Sequence, residues 1–79
     1  MNEYYLSNVY AIAYLITQNF EILHTDFNER RLARFYFDDT PEFRTALNDF
    51  HNSEFMKAYI KSLIDTKIHI RRMLAAQQQ

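Results

Sequence analysis

Two adjacent carboxylates, three histidines and three serines are the residues of this chain whose types do chemistry in other proteins. Asp38 and Asp39 are neighbours on an expected strand, where successive side chains point to opposite faces, so they do not naturally share a proton or a substrate. Beside a helix N-terminus the same two acids complement the helix dipole and offer caps. His24, His51 and His69 form no His-x-x-x-His pair, and the chain has no cysteine to complete a metal site. His24-Thr25-Asp26 puts two ligand types on one strand face without a third, and His51 suits the free carbonyls of a helix end. Of Ser7, Ser53 and Ser62, the first two fall at cap positions. With no glycine in 79 residues, the Gly-x-Ser-x-Gly elbow, the phosphate loop and the dinucleotide fingerprint are all excluded. No metal, no cofactor and no catalytic residue is expected.

The one extended charged feature is basic: Lys57, Lys61, Lys67, Arg71 and Arg72 near the C-terminus, with Arg30, Arg31 and Arg34 on a preceding hairpin. Phosphate contact is one meaning. A solvated helix face whose cations favour the dipole is the other, and the formal net charge of −1 with Asp65 among the cations leans towards it. Residues 1–29 hold Glu3, Glu21, Asp26 and Glu29 and no cation, so the chain is acidic in front and basic behind.

The elements that position these residues follow from caps and periodicity. Glu3–Leu6 reads as a short strand. Ser7 then caps a helix over residues 8–18, with Val9, Ile12, Ala13, Ile16 and Phe20 towards the core and Tyr10 and Tyr14 on a second stripe. Asn19 is expected to close it in the left-handed conformation. Residues 20–26 and 31–37 form a hairpin about a turn at Phe27–Arg30, with Asn28 left-handed. Ala33, Phe35 and Phe37 point inward; Leu32, Arg34 and Tyr36 point outward. Thr40 caps a helix that has Pro41 at its first position and Phe43, Ala46, Leu47 and Phe50 inward. After His51-Asn52-Ser53 a last helix runs over residues 54–74, with Met56, Tyr59, Ile60, Leu63, Ile64, Ile70 and Leu74 as its apolar stripe; residues 75–79 read as a frayed tail. Lys67 falls within that stripe. It extends its stem over apolar surface, or, if buried, requires an acid such as Asp38 or Asp39. The sum is a single α+β domain over residues 1–79, β-α-β-β-α-α, with a three-stranded sheet in order 1-3-2.

Tyr4-Tyr5-Leu6-Ser7-Asn8 entering an Ala-containing apolar helix, Phe35-Tyr36-Phe37-Asp38-Asp39-Thr40-Pro41-Glu42, and Phe50-His51-Asn52-Ser53-Glu54 before a basic final helix occur in this order across residues 4–74. Together they resemble a family of short bacterial and phage-encoded domains of unknown function. Where the family favours Gly after the first helix this chain has Asn19, and where it has aromatic-Asn-Gly-Glu this chain has His51-Asn52-Ser53-Glu54; both departures sit at turns. The resemblance implies a phage or mobile-element context and carries over no catalytic residue.

A domain of this size buries only about 60% of the surface its unfolded chain exposes. Six Tyr and seven Phe are more than one small core easily hides, and association is the remaining stabilising device without disulfides. No targeting or membrane-spanning segment is expected, which makes the cytoplasm (the host's, if phage-encoded) the default location. The expected function is non-catalytic protein binding, as a homodimer or with a host or phage protein. Tyr10, Tyr14, Leu32 and Tyr36 are the interface residues, unless the last helix covers them as a second core layer. The alternatives are a nucleic-acid-binding accessory protein using Arg30, Arg31, Lys57, Lys61, Lys67, Arg71 and Arg72, and a small enzyme or ligand carrier with an unrecognised site.

Overall fold

In the structure, a computed structural model that describes residues 2–77, local capping sets most element boundaries. β1 (Glu3–Leu6) leads into α1 (Val9–Thr17). The N-cap of α1 is Asn8 rather than the expected Ser7: its Oδ1 accepts from the backbone N–H of Tyr10 at 2.9 Å and Ala11 at 3.3 Å. At the other end Asn19 is left-handed (φ 69°), as expected. Phe20 N–H donates to the Leu15 carbonyl and Asn19 N–H to that of Ile16, a Schellman closure made without glycine.

β2 (His24–Phe27) and β3 (Ala33–Asp38) form the hairpin; both begin later than the pattern suggested, β2 by four residues and β3 by two. The left-handed residue of their connection is Arg31 (φ 63°), not Asn28. Asn28 instead accepts on Oδ1 from the N–H of Arg30 (2.8 Å) and of Leu32 (2.9 Å), while its carbonyl accepts from Arg31 N–H. This is a three-residue loop closed by a turn and a left-handed residue; Asn28 serves the turn best at its start, which leaves the strained position to arginine.

The sheet has order β1-β3-β2 with β3 antiparallel to both neighbours, so β1 and β2 run parallel and α1 crosses between them. Tyr5, Tyr36 and His24 lie in one row across the three strands. α2 (Pro41–Asn52) is capped by Thr40, whose Oγ1 accepts from Phe43 N–H at 3.1 Å, with Pro41 at its first turn. A single residue, Ser53, separates α2 from α3 (Glu54–Gln77) and caps the latter through Met56 N–H. α3 is helical to Gln77, three residues beyond the expected end; the remainder of the expected frayed tail, 78–79, lies outside the described residues.

The core joins Ala11, Ile12 and Leu15 of α1 to Phe37 of β3 and to Phe43, Leu47 and Phe50 of α2. Phe43 is its hub, 5.3 Å from Phe37, 5.7 Å from Tyr4 and 5.9 Å from Phe20 between ring centroids. The expected inner face of α1 is thereby corrected: Val9 is 65% and Ile16 48% exposed, and Ala13 is exposed too. Ala11 and Leu15 take their place, because the small Ala11 lets α1 approach closely and a helix apolar on nearly every side has no unique face to offer.

α3 is the exception to compact packing. Met56 and Ile60 rest on the core and Leu63 is half-buried, but from Lys61 onward every other described residue of α3 is exposed. The Cα radius of gyration is 16.0 Å, against roughly 12 Å for a compact chain of this length. The difference is the projecting half of this helix.

Candidate functional site

Three surfaces hold the residues that the sequence singles out. The first is the open face of the sheet. Its centre is Asp26, which accepts two hydrogen bonds from the Arg34 guanidinium (2.6 and 2.8 Å) and one from the Tyr36 hydroxyl (3.1 Å). His24 stacks on Tyr36 with centroids 4.2 Å apart and bonds Glu3 at 2.8 Å. Arg34 lies 5.5 Å from the Tyr5 ring centroid. The Arg34 hydrogen bonds hold the Asp26 carboxyl below its ordinary range. Partial desolvation and then the bond to Asp26 push the Tyr36 phenol up. Asp26 pairs with Arg34 and Glu3 with His24, so the network ties the three strands together, while Tyr5 on the same face stays about half exposed. Asp39 behaves alike: Arg44 binds it in a two-bond fork at 2.7 and 2.9 Å and lowers its pKa. Asp38 and Asp39 thus form no shared acid pair. No group of three or more potential metal ligands gathers among the described residues.

The second surface is a groove between α1 and α3. Tyr10, Ala13 and Tyr14 form one wall and Tyr59, Ile60 and Leu63 the other, around about 440 Å³ that is almost wholly apolar. Tyr14 is anchored at its base by Phe50, 5.5 Å between centroids. α1 supplies the wall because its Tyr stripe lies beside the buried Ala11–Leu15 face. α3 supplies the other because Met56, Ile60 and Leu63 fall on successive turns of one side. With no charged side chain in its walls, the groove suits an apolar guest and offers nothing to a phosphate.

The third surface is the projecting half of α3. Ile64, Ile68, Ile70, Met73 and Leu74 are each 41–55% exposed. Lys57, Lys61, Lys67, Arg71 and Arg72 share an arc of about 140° on the same helix, with Ile64 and Ile68 between them. Lys67 is exposed and keeps its ammonium in solvent.

The four residues chosen as an interface do not meet. Tyr10 and Tyr14 are half-buried on the helical side of the molecule and line the groove. Tyr36 is on the far face of the sheet, engaged with His24 and Asp26, and Leu32 is exposed at the hairpin loop. The basic residues divide likewise: Arg30 and Arg31 lie in the hairpin connection and the other five on α3. Phe55, Ile68 and Met73 of α3 are exposed apolar residues outside the stripe read from sequence. The available signal was length: a helix of 24 residues spans about 36 Å, more than a domain of this size can cover.

No helix among the described residues is long and apolar enough to cross a membrane. A protein-family model described as a domain of unknown function (DUF5659) matches residues 1–76. No curated protein and no solved structure gives a significant match.

Proposed function

The chain belongs to the DUF5659 family of domains of unknown function, and we propose that it is a small, soluble, non-catalytic binding protein that acts through protein–protein contacts as a homodimer. The observation that carries this reading is the projecting half of α3, whose large apolar side chains Ile64, Ile68, Ile70, Met73 and Leu74 stay about half exposed among the described residues. A helical extension of about 14 residues held only by its own hydrogen bonds is marginal in water, and burial against a partner is what normally sustains one. The apolar groove beside it supports the same reading, as does the pairing of Asp26 with Arg34 and Tyr36 on the open sheet face, which spends those polar groups on one another. The resemblance described above favours a phage or mobile-element protein working in the cytoplasm, with a host or phage protein as a further partner.

Sedimentation equilibrium over about 1–500 µM protein tests the proposal. A mass that approaches twice 9.6 kDa is expected, and a monomer throughout that range overturns the homodimer. The cation arc on α3 supports a second reading, a nucleic-acid accessory role. Its signature is retention on heparin or single-stranded DNA that falls steeply as salt rises.

A further inference from the structure

We propose that the projecting half of α3 from one copy docks in the α1–α3 groove of a second copy, reciprocally and antiparallel; this rests on the homodimer reading and names its interface. The seam is continuous along α3. Met56, Ile60, Leu63, Lys67, Ile70 and Leu74 follow one another at alternating steps of four and three residues, the heptad spacing of paired helices. The first three meet the chain's own core or groove, and the last three are exposed, off the core formed by the described residues. The same side of the same helix is therefore a groove wall at one end and an uncovered ridge at the other.

A two-fold axis between Ile68 and His69 matches these halves. It sets Leu63 opposite Leu74 of the second copy and Lys67 opposite Ile70, and the tail's outer end lies beside Tyr10, Ala13 and Tyr14. The end of each tail enters the other's groove and the two tails pair along the stretch between, so the contact is self-complementary and closes at two copies. It also keeps the two Lys67 side chains out of a shared layer, where a parallel pairing would stack them against each other. Ile70 and Leu74 lie on the seam with Met73 at its edge, while Ile64 and Ile68 fall among the cations of the same helix and stay outside the contact. A second copy is the occupant because one chain carries both complementary parts.

The absence of cysteine makes the arrangement directly testable. Leu63→Cys and Leu74→Cys proteins, mixed and oxidised, should form the 63–74 cross-link faster than either protein links to itself. Preferential 74–74 linkage, or no preference, overturns the antiparallel pairing. In parallel, Ile70→Lys with Leu74→Lys, both on exposed positions near the C-terminal end of α3 where cations suit the helix dipole, should leave the circular-dichroism spectrum and unfolding midpoint of the dilute protein close to those of the dilute parent and weaken dimerisation at least tenfold. An Ala13→Arg variant, which fills the groove without touching the tail, should do the same. A wild-type protein that is monomeric refutes the homodimer itself. A wild-type dimer that survives both the tail and the groove variants refutes only this interface.

Discussion

Arg31 sits where a residue without a Cβ belongs. Its left-handed backbone (φ 63°) costs an L-residue roughly 1 kcal/mol over glycine, and its role in the loop is conformational, since the turn's hydrogen bonds come from Asn28. Arg31→Gly is expected to stabilise the fold by up to about 1 kcal/mol, less the extra entropy glycine gives the unfolded chain; urea unfolding measures it, and a lower midpoint would mean the Arg31 side chain holds the hairpin in some other way. The loop also marks a limit of sequence reading: asparagine's tolerance for positive φ and its skill as a side-chain acceptor both suit Asn28, and residue type alone does not say which of the two is used. Asp26 and Asp39 make acid sensitivity a second residue-scale property. Arginine hydrogen bonds lower both carboxyls in the folded state, so below about pH 4 the unfolded chain takes up protons that the folded chain does not. The stability these pairs confer is complete above that pH and is lost as pH falls through the folded values. Urea midpoints measured from pH 6 to 2.5 should decline at the acid end, and less steeply for Asp26→Asn; identical slopes would show that the Arg34 pair contributes nothing.

At the scale of elements, legibility in the sequence depended on how many constraints each stretch carried. Glu3–Leu6 and the start of α2 are where the pattern puts them, because Thr40-Pro41 combines a side-chain cap with a residue that only a first turn tolerates. α1 has its expected position but not its expected orientation. Its apolar residues run round the whole helix, and neighbours decided which side faced inward, a fact absent from the residue spacing. The proposed interface quartet split for a related reason: Tyr10 and Tyr36 are both outward by local periodicity, yet outward from different layers of the fold. α3 presents the opposite case. Lys67 stands out within an apolar stripe in the sequence, and in the structure it is a solvated cation at a seam position. If that seam pairs with a second copy, Lys67→Leu should tighten the dimer roughly tenfold or more, since an apolar side chain replaces a polar one in two layers. Sedimentation of the variant beside the parent protein reads this; an unchanged dissociation constant would place Lys67 outside the contact.

The whole molecule is a small sheet-and-helix body with a rod attached, 55 Å in its longest dimension and 18 Å in its shortest. The body alone has what a domain needs, an aromatic core around Phe43 and capped elements. The rod has the apolar surface that the body does not use. The join between them is unusually short. Only Ser53 intervenes, with its own N–H bonded back to Phe50 and its hydroxyl bonded forward to Met56, so there is little slack to absorb a change of direction. A force applied near Leu74 would act at the end of an arm with its fulcrum where Ile60 and Leu63 leave the body, and its short side, Met56 back to Ser53, bears on the core beside Phe50, the ring that supports Tyr14. Whatever grips the tip of this protein therefore pulls, through stiff helix, on its centre.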